Sequence, residues 1–152
     1  MTMTRRDALL GLMVLSGALT ESLPAAADQP QPILGPTVFH WDEMKFVSNA
    51  VGAQAPLCKQ PTATLDQLEM HVSKLDPGKM SHPPHRHVNE ELIILKEGSC
   101  ETLSNGQWVR VEAGSVVFNA SNSLHGFRNI GAMPAVYHVI NWSPNKDVAA
   151  QK

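Results

Sequence analysis

"SHPPHRHVNEELIILKEG", residues 81–98, joins a polar run of three histidines and two adjacent carboxylates to an apolar run that starts at Glu91. Its periodicity decides what the polar part is for. On an extended segment, side chains two apart share a face, so His85 and His87 project together while Arg86 points the opposite way. Glu91 keeps the parity of the two histidines, and Ile93 and Leu95 follow on the same side, toward an interior; Glu90 has the other parity and faces outward. A carboxylate buried beside two imidazoles is costly unless a cation compensates it. The competing reading is a solvated histidine loop. The shared parity of polar and apolar halves favours a chelate. Pro83 and Pro84 hold the approach to His85 extended, because proline fixes its own φ and restricts its predecessor.

Working outward, the punctuation is regular. "LEMHVSKL", residues 68–75, alternates Leu68, Met70 and Val72 against Glu69, His71 and Ser73, the period of a half-buried strand ended by Asp76, Pro77 and Gly78. "SCETLSNGQWVRVEAG", residues 99–114, reads as a hairpin, with Asn105 and Gly106 supplying the positive φ of a type I′ turn. "SVVF", "HGFRNIG" and "AVYHVINW" follow, the last rich in β-branched and aromatic residues. No helical stripe of eleven residues occurs between 64 and 142, and no internal repeat. Short strands separated by Gly, Pro or Asn predict an all-β fold: one antiparallel barrel or sandwich of jelly-roll type. "VFHWDEMKF", residues 38–46, reads as a short strand or helical turn carrying Trp41 and Phe46 into a core, with His40 on the surface.

The amino-terminal residues are of another kind. Arg5 and Arg6 precede a twelve-residue, largely apolar run from Ala8 to Leu19, then Pro24 and a small-residue site at Ala25–Ala27. This is the pattern of an export signal cleaved before Asp28, with a twin-arginine character that departs from the usual form in having Ala8. Twelve residues fall short of the roughly 20 needed to span a bilayer, so no stable membrane insertion is expected after cleavage. The segments are therefore a signal peptide over 1–27, an arm over 28–50, the barrel domain over 51–145 and a polar tail over 146–152. The protein is expected in the periplasm or secreted.

The net charge of −2 is unchanged by cleavage, which removes two basic and two acidic residues. With no block of like charge, neither a nucleic-acid footprint nor a polybasic membrane patch is present, leaving a small molecule as the expected partner. Cys58 and Cys100 are the two cysteines; an oxidising compartment permits a bridge, but a chain of this size does not require one, and two free thiols are the preferred reading.

The spacing resembles that of the cupin superfamily, whose first motif runs Gly, about five residues, H-x-H, three or four residues, Glu, six residues, Gly. Here Gly78 is followed by six residues, then His85, Arg86, His87, three residues, Glu91, six residues and Gly98. The second motif runs Gly, five residues, P-x-G, a spacer, His, three residues, Asn, and is matched by Gly106, Glu112-Ala113-Gly114, His125 and Asn129, with Glu112 in place of the proline. The resemblance covers 78–129 and implies a metal site of His85, His87, Glu91 and His125 inside the barrel, with a homodimer formed through the outer strands.

His82 lies outside the motif and reads as a rim residue; His71 and His138 read as hydrogen-bonded structural histidines. Three imidazoles and a carboxylate suit a divalent transition metal, manganese or iron if the protein folds before export, with zinc, copper or nickel behind. Four protein donors leave coordination positions open, so a metal-dependent enzyme is preferred to a noncatalytic binding module, and the resemblance to small cupins implies a reaction of dioxygenase, isomerase or lyase type. No catalytic residue beyond the metal shell is singled out.

Overall fold

The computed structural model describes residues 31–144; the signal read over 1–27 and the tail read over 146–152 lie outside the described residues. The alternation in the sequence becomes nine strands: β1 Val47–Asn49, β2 Gly52–Gln60, β3 Leu65–Leu75, β4 Glu90–Glu97, β5 Ser99–Ser104, β6 Gln107–Glu112, β7 Val116–Asn119, β8 Phe127–Asn129 and β9 Ala135–Pro144. They form a six-stranded sheet in the order β1-β2-β3-β9-β4-β7 and a three-stranded sheet in the order β6-β5-β8. All pairings are antiparallel. β1 lies within the span read as the arm, yet Val47 pairs with Gln54 and extends the larger sheet.

The β5–β6 hairpin turns at Asn105 and Gly106, both at positive φ (49° and 79°), as a type I′ turn requires. Gly98, between β4 and β5, has φ +98°, and a Cβ there would stand 2.9 Å from the Cα of Ala135. Only glycine allows both that backbone and that approach.

The core lies between the two sheets. Leu75, Leu95, Ile93, Tyr137 and Val139 from the larger sheet meet Phe127 and Cys100 from the smaller one, with Phe127 and Tyr137 at 4.8 Å between ring centroids. Burying each large apolar side chain there contributes roughly 1.5–3 kcal/mol relative to leaving it exposed. Cys100 is fully buried in this core and Cys58 lies on β2; both are free thiols, and burial pushes Cys100 up to about 12.

Cross-strand partners share a face, so the pairing register identifies which side chains look inward. The row Gln54–Ser73–Tyr137–Leu95 faces the interior, as do His71–Val139–Ile93–Val117 and Glu69–Asn141–Glu91–Asn119. In β3, therefore, the polar set Glu69, His71 and Ser73 looks into the barrel. Leu68, Met70 and Val72 take the outer side, and Val72 is fully buried there.

Part of what covers that outer side is the amino-terminal arm. A 3₁₀ turn at Trp41–Glu43 brings Trp41 to 6.1 Å from the His138 ring and Phe46 to 6.2 Å from Trp41, with the ammoniums of Lys96 and Lys74 over the two aromatics at 4.3 and 3.9 Å. Trp41 and Phe46 thus pack on the outside of the sheet instead of entering the core, and Trp41 stays 41% exposed. The interior is already filled by Phe127, Tyr137 and their neighbours.

Candidate metal centre

The histidines come from two loops and the carboxylate from a strand. His85 and His87 lie between β3 and β4, His125 between β7 and β8, and Glu91 near the start of β4. The loops are joined backbone to backbone: His85 N–H donates to His125 O (3.0 Å) and His125 N–H to His85 O (3.1 Å). Asn122 N–H donates to His87 O (2.7 Å), and the Arg86 guanidinium, pointing away from the site, donates to Asn122 O (2.6 Å). Four contacts, two to His125 and two to Asn122, thus hold the 122–125 loop against the H-x-H pair.

One ring nitrogen from each of His85, His87 and His125 lies within 4.8 Å of the other two. The Nδ1 atoms face carbonyl oxygens: Pro83 O for His85 (3.2 Å), Asn89 O for His87 (2.9 Å) and Ser123 O for His125 (2.9 Å). A carbonyl only accepts, so each Nδ1 carries a proton, the tautomer that leaves the Nε2 lone pair to face a ligand. Orienting a ligating imidazole through its second nitrogen is the usual device at metal sites. His125 is 4% exposed, and its Nε2 is the one fully buried side-chain nitrogen or oxygen without a partner among the described residues. Desolvation by burial lowers its pKa despite the opposing hydrogen bond to Ser123, which keeps the ring neutral.

Glu91, 9% exposed, stands at the edge of this group, with Oε2 3.8 Å from His87 Nε2 and Oε1 3.9 Å from His125 Nε2. Two amides orient it: Asn119 Nδ2 donates to Oε1 at 3.0 Å and Asn141 Nδ2 to Oε2 at 3.5 Å, while Asn89 Nδ2 donates to Asn141 Oδ1 at 2.7 Å. Sequence reasoning missed these asparagines. Asn119 ends "VVFN" and Asn141 interrupts "VINW", both at the inward parity of their strands, which is the signal that would have exposed them. Asn129 has a purely structural part: it is buried, and its amide donates to Leu75 O and Met133 O, each at 2.8 Å.

All four sequence-predicted donors therefore lie at one end of the interior. His82 is exposed, with its ring edge-on to His85 at 4.6 Å between centroids, on the rim side. His71 lines a cavity of about 290 Å³ that also borders Glu91 and His82, and its ring makes no hydrogen bond among the described residues. Burial lowers its pKa, and the carboxylates Glu69 and Glu91 partly oppose the shift. His138, in contrast, faces outward under Trp41. Neither is the hydrogen-bonded structural histidine expected from sequence.

An unpartnered buried nitrogen, two more imidazoles of fixed tautomer and an oriented carboxylate fit a divalent first-row metal ion. Without a cation, the arrangement buries the Glu91 carboxylate beside the unpartnered His125 Nε2.

Residues 71–141 match the family model of the cupin domain. No curated protein matches the chain. Among solved structures, KdgF from Halomonas sp. superposes with a TM-score of 0.62 at 16% identity, over 75% of this chain and 99% of that one. The cupin domain of Schizosaccharomyces pombe Cnp3 gives 0.62 at 13% identity, over 75% and 79%. A predicted oxalate decarboxylase from Thermotoga maritima gives 0.55 at 20% identity, over 70% and 99%. At these identities the likeness is one of fold.

Proposed function

The chain carries a cupin domain, and from the donors gathered in its interior we propose that it is an exported metal-dependent enzyme acting on a small organic molecule. The metal is held by His85, His87, Glu91 and His125. The observation that carries this reading is the His125 Nε2, buried and without a partner, on the side where the other imidazoles present theirs. A native protein seldom leaves such a nitrogen unpaired, because an unsatisfied buried acceptor costs about 1–3 kcal/mol.

The chain's own residues divide the work. The carbonyls of Pro83, Asn89 and Ser123 hold the three Nδ1 protons and so fix which lone pairs face the site. Glu91 contributes the negative charge, with Asn119 and Asn141 fixing its plane. The cavity beside it holds the organic molecule. A divalent ion supplies Lewis acidity toward an oxygen ligand, alone or alongside dioxygen, and this admits dioxygenase, isomerase or lyase chemistry. Manganese or iron is the favoured ion for a protein that folds before a twin-arginine export step, ahead of zinc, copper and nickel.

The test is elemental analysis of protein purified from its export compartment, followed by incubation with catechols, flavonols, β-diketones and sugar acids while oxygen uptake and products are measured. One first-row ion per chain is expected, retained in His82→Ala and lost in His85→Ala, with turnover of at least one compound. Metal retained in His85→Ala would refute the ligand set. Tight binding without turnover would make the protein a noncatalytic binding module.

A further inference from the structure

The cavity beside Glu91 has a chemical character of its own. Its inner wall is the cross-strand row Gln54–Ser73–Tyr137, three side chains that hydrogen-bond without carrying charge at neutral pH. Ser81 and Asn49 add two more neutral polar groups at its border. Among the described residues no arginine lines it. Lys74 does, but its ammonium sits 3.9 Å over the Phe46 ring on the outer side of the sheet. Apart from Glu91, the one carboxylate in the wall is Glu69, which is paired with Lys59 at 2.9 Å near the surface.

At the metal end a ligand's charge is met by the ion and Glu91 together. A phosphate reaching the Gln54–Ser73–Tyr137 row, however, would find no guanidinium or free ammonium, and the bordering His71 and His82 are held toward their neutral forms by burial. Phosphates are normally met by Arg or Lys. Uncharged hydroxyls, by contrast, find both donors and acceptors in Gln54, Ser73 and Tyr137.

The dimensions narrow the class further. Glu69, in the same row as Glu91, and Ser73 are four residues apart on β3, so the two rows lie about 13 Å from each other, a span suited to a chain of roughly five or six carbons and not of two or three. The volume of about 290 Å³ lies just below the usual range for ligand clefts, roughly 300–1,000 Å³, which limits the ligand to a small one.

Resting on the metal reading above, we infer that the site takes an uncharged polyhydroxylated carbonyl compound of monosaccharide size, one end at the metal and its distal hydroxyls on Gln54, Ser73 and Tyr137, and discriminates against sugars phosphorylated at that distal end. Gln54 is the residue that sets this preference most directly. It stands on the inward row of β2 and can be exchanged without touching a metal donor.

The experiment is calorimetric titration of the metal-loaded full chain with D-fructose and D-fructose 6-phosphate, with metal content measured on every sample. Fructose is expected to bind and the phosphate ester to bind at least about tenfold more weakly. Gln54→Leu and Ser73→Ala should each lose about tenfold in fructose affinity, the loss of one hydrogen bond, while keeping one ion per chain. Gln54→Arg should move the preference toward the phosphate ester, an effect that a merely structural role would not produce. Tighter binding of the phosphate ester, no binding of fructose, or unchanged fructose affinity in both Gln54→Leu and Ser73→Ala would overturn the substrate class while leaving the metal reading standing. Loss of metal from the wild-type chain would overturn the metal reading and this proposal with it.

Discussion

His125→Ala is expected to leave the metal-free protein almost as stable as the wild type and to abolish most of what metal adds. In the chelated protein the substitution removes the Nδ1–H bond to Ser123 O, with a net value of about 1 kcal/mol, together with contacts to the His85 and His87 rings at 4.5 and 4.7 Å between centroids. It also removes the buried, unpartnered Nε2, relieving a penalty of about 1–3 kcal/mol. The two contributions oppose each other, so the change in chelator should stay within about 1 kcal/mol.

With metal the balance differs. Ligand at about 100 times its dissociation constant stabilises the wild-type fold by about 2.7 kcal/mol. For a domain of this size that is about 10 °C in melting temperature. Removing one of four donors should eliminate most of that increment. Thermal unfolding followed by circular dichroism, in EDTA and in excess manganese at one pH, reads both effects. A variant destabilised by more than about 2 kcal/mol in EDTA, with its metal increment intact, would mean that His125 is a packing residue and that the buried nitrogen has another explanation.

Two further outcomes follow from single positions. His71 is held neutral by burial in the cavity wall, its pKa below 6.5, so just below that pH the unfolded chain binds a proton that the folded one does not. Stability of the chelated protein should therefore fall as pH drops below about 6.5, and His71→Gln should flatten that fall in urea titrations; an identical slope in the variant would remove His71 from the account. Gly98→Ala forces an L side chain to φ +98° and against Ala135 and should cost about 1–3 kcal/mol, whereas Gly35→Ala, with nothing within 4 Å of the added carbon, should be near neutral. Equal urea midpoints for the two variants would contradict the geometry at Gly98.

Much of the fold was legible because β structure writes itself locally. Alternation in "ELIILKEG" fixes Glu91, Ile93 and Leu95 as one face, and those residues are 9%, 4% and 1% exposed. Asn105-Gly106 announces the hairpin by its need for positive φ. Alternation does not say which face is the inside, however. In β3 the apolar face was the natural inner one, yet Glu69, His71 and Ser73 look inward, because a barrel that keeps a polar cavity at one end reverses the usual assignment there and an arm covers part of the outer face. Trp41 and Phe46 were misplaced for the same reason: a large aromatic can pack against the outer surface of a sheet as well as within a core.

The sequence by itself determined the strand periods, the turns and the common direction of His85, His87 and Glu91, all of which depend on backbone geometry within a few residues. Only the tertiary structure decided that His125 meets them, that Asn119 and Asn141 aim the carboxylate, and that a neutral polar row lines the adjoining cavity. Each of those is set by antiparallel register between segments far apart in the chain, which the side-chain period within one strand does not encode.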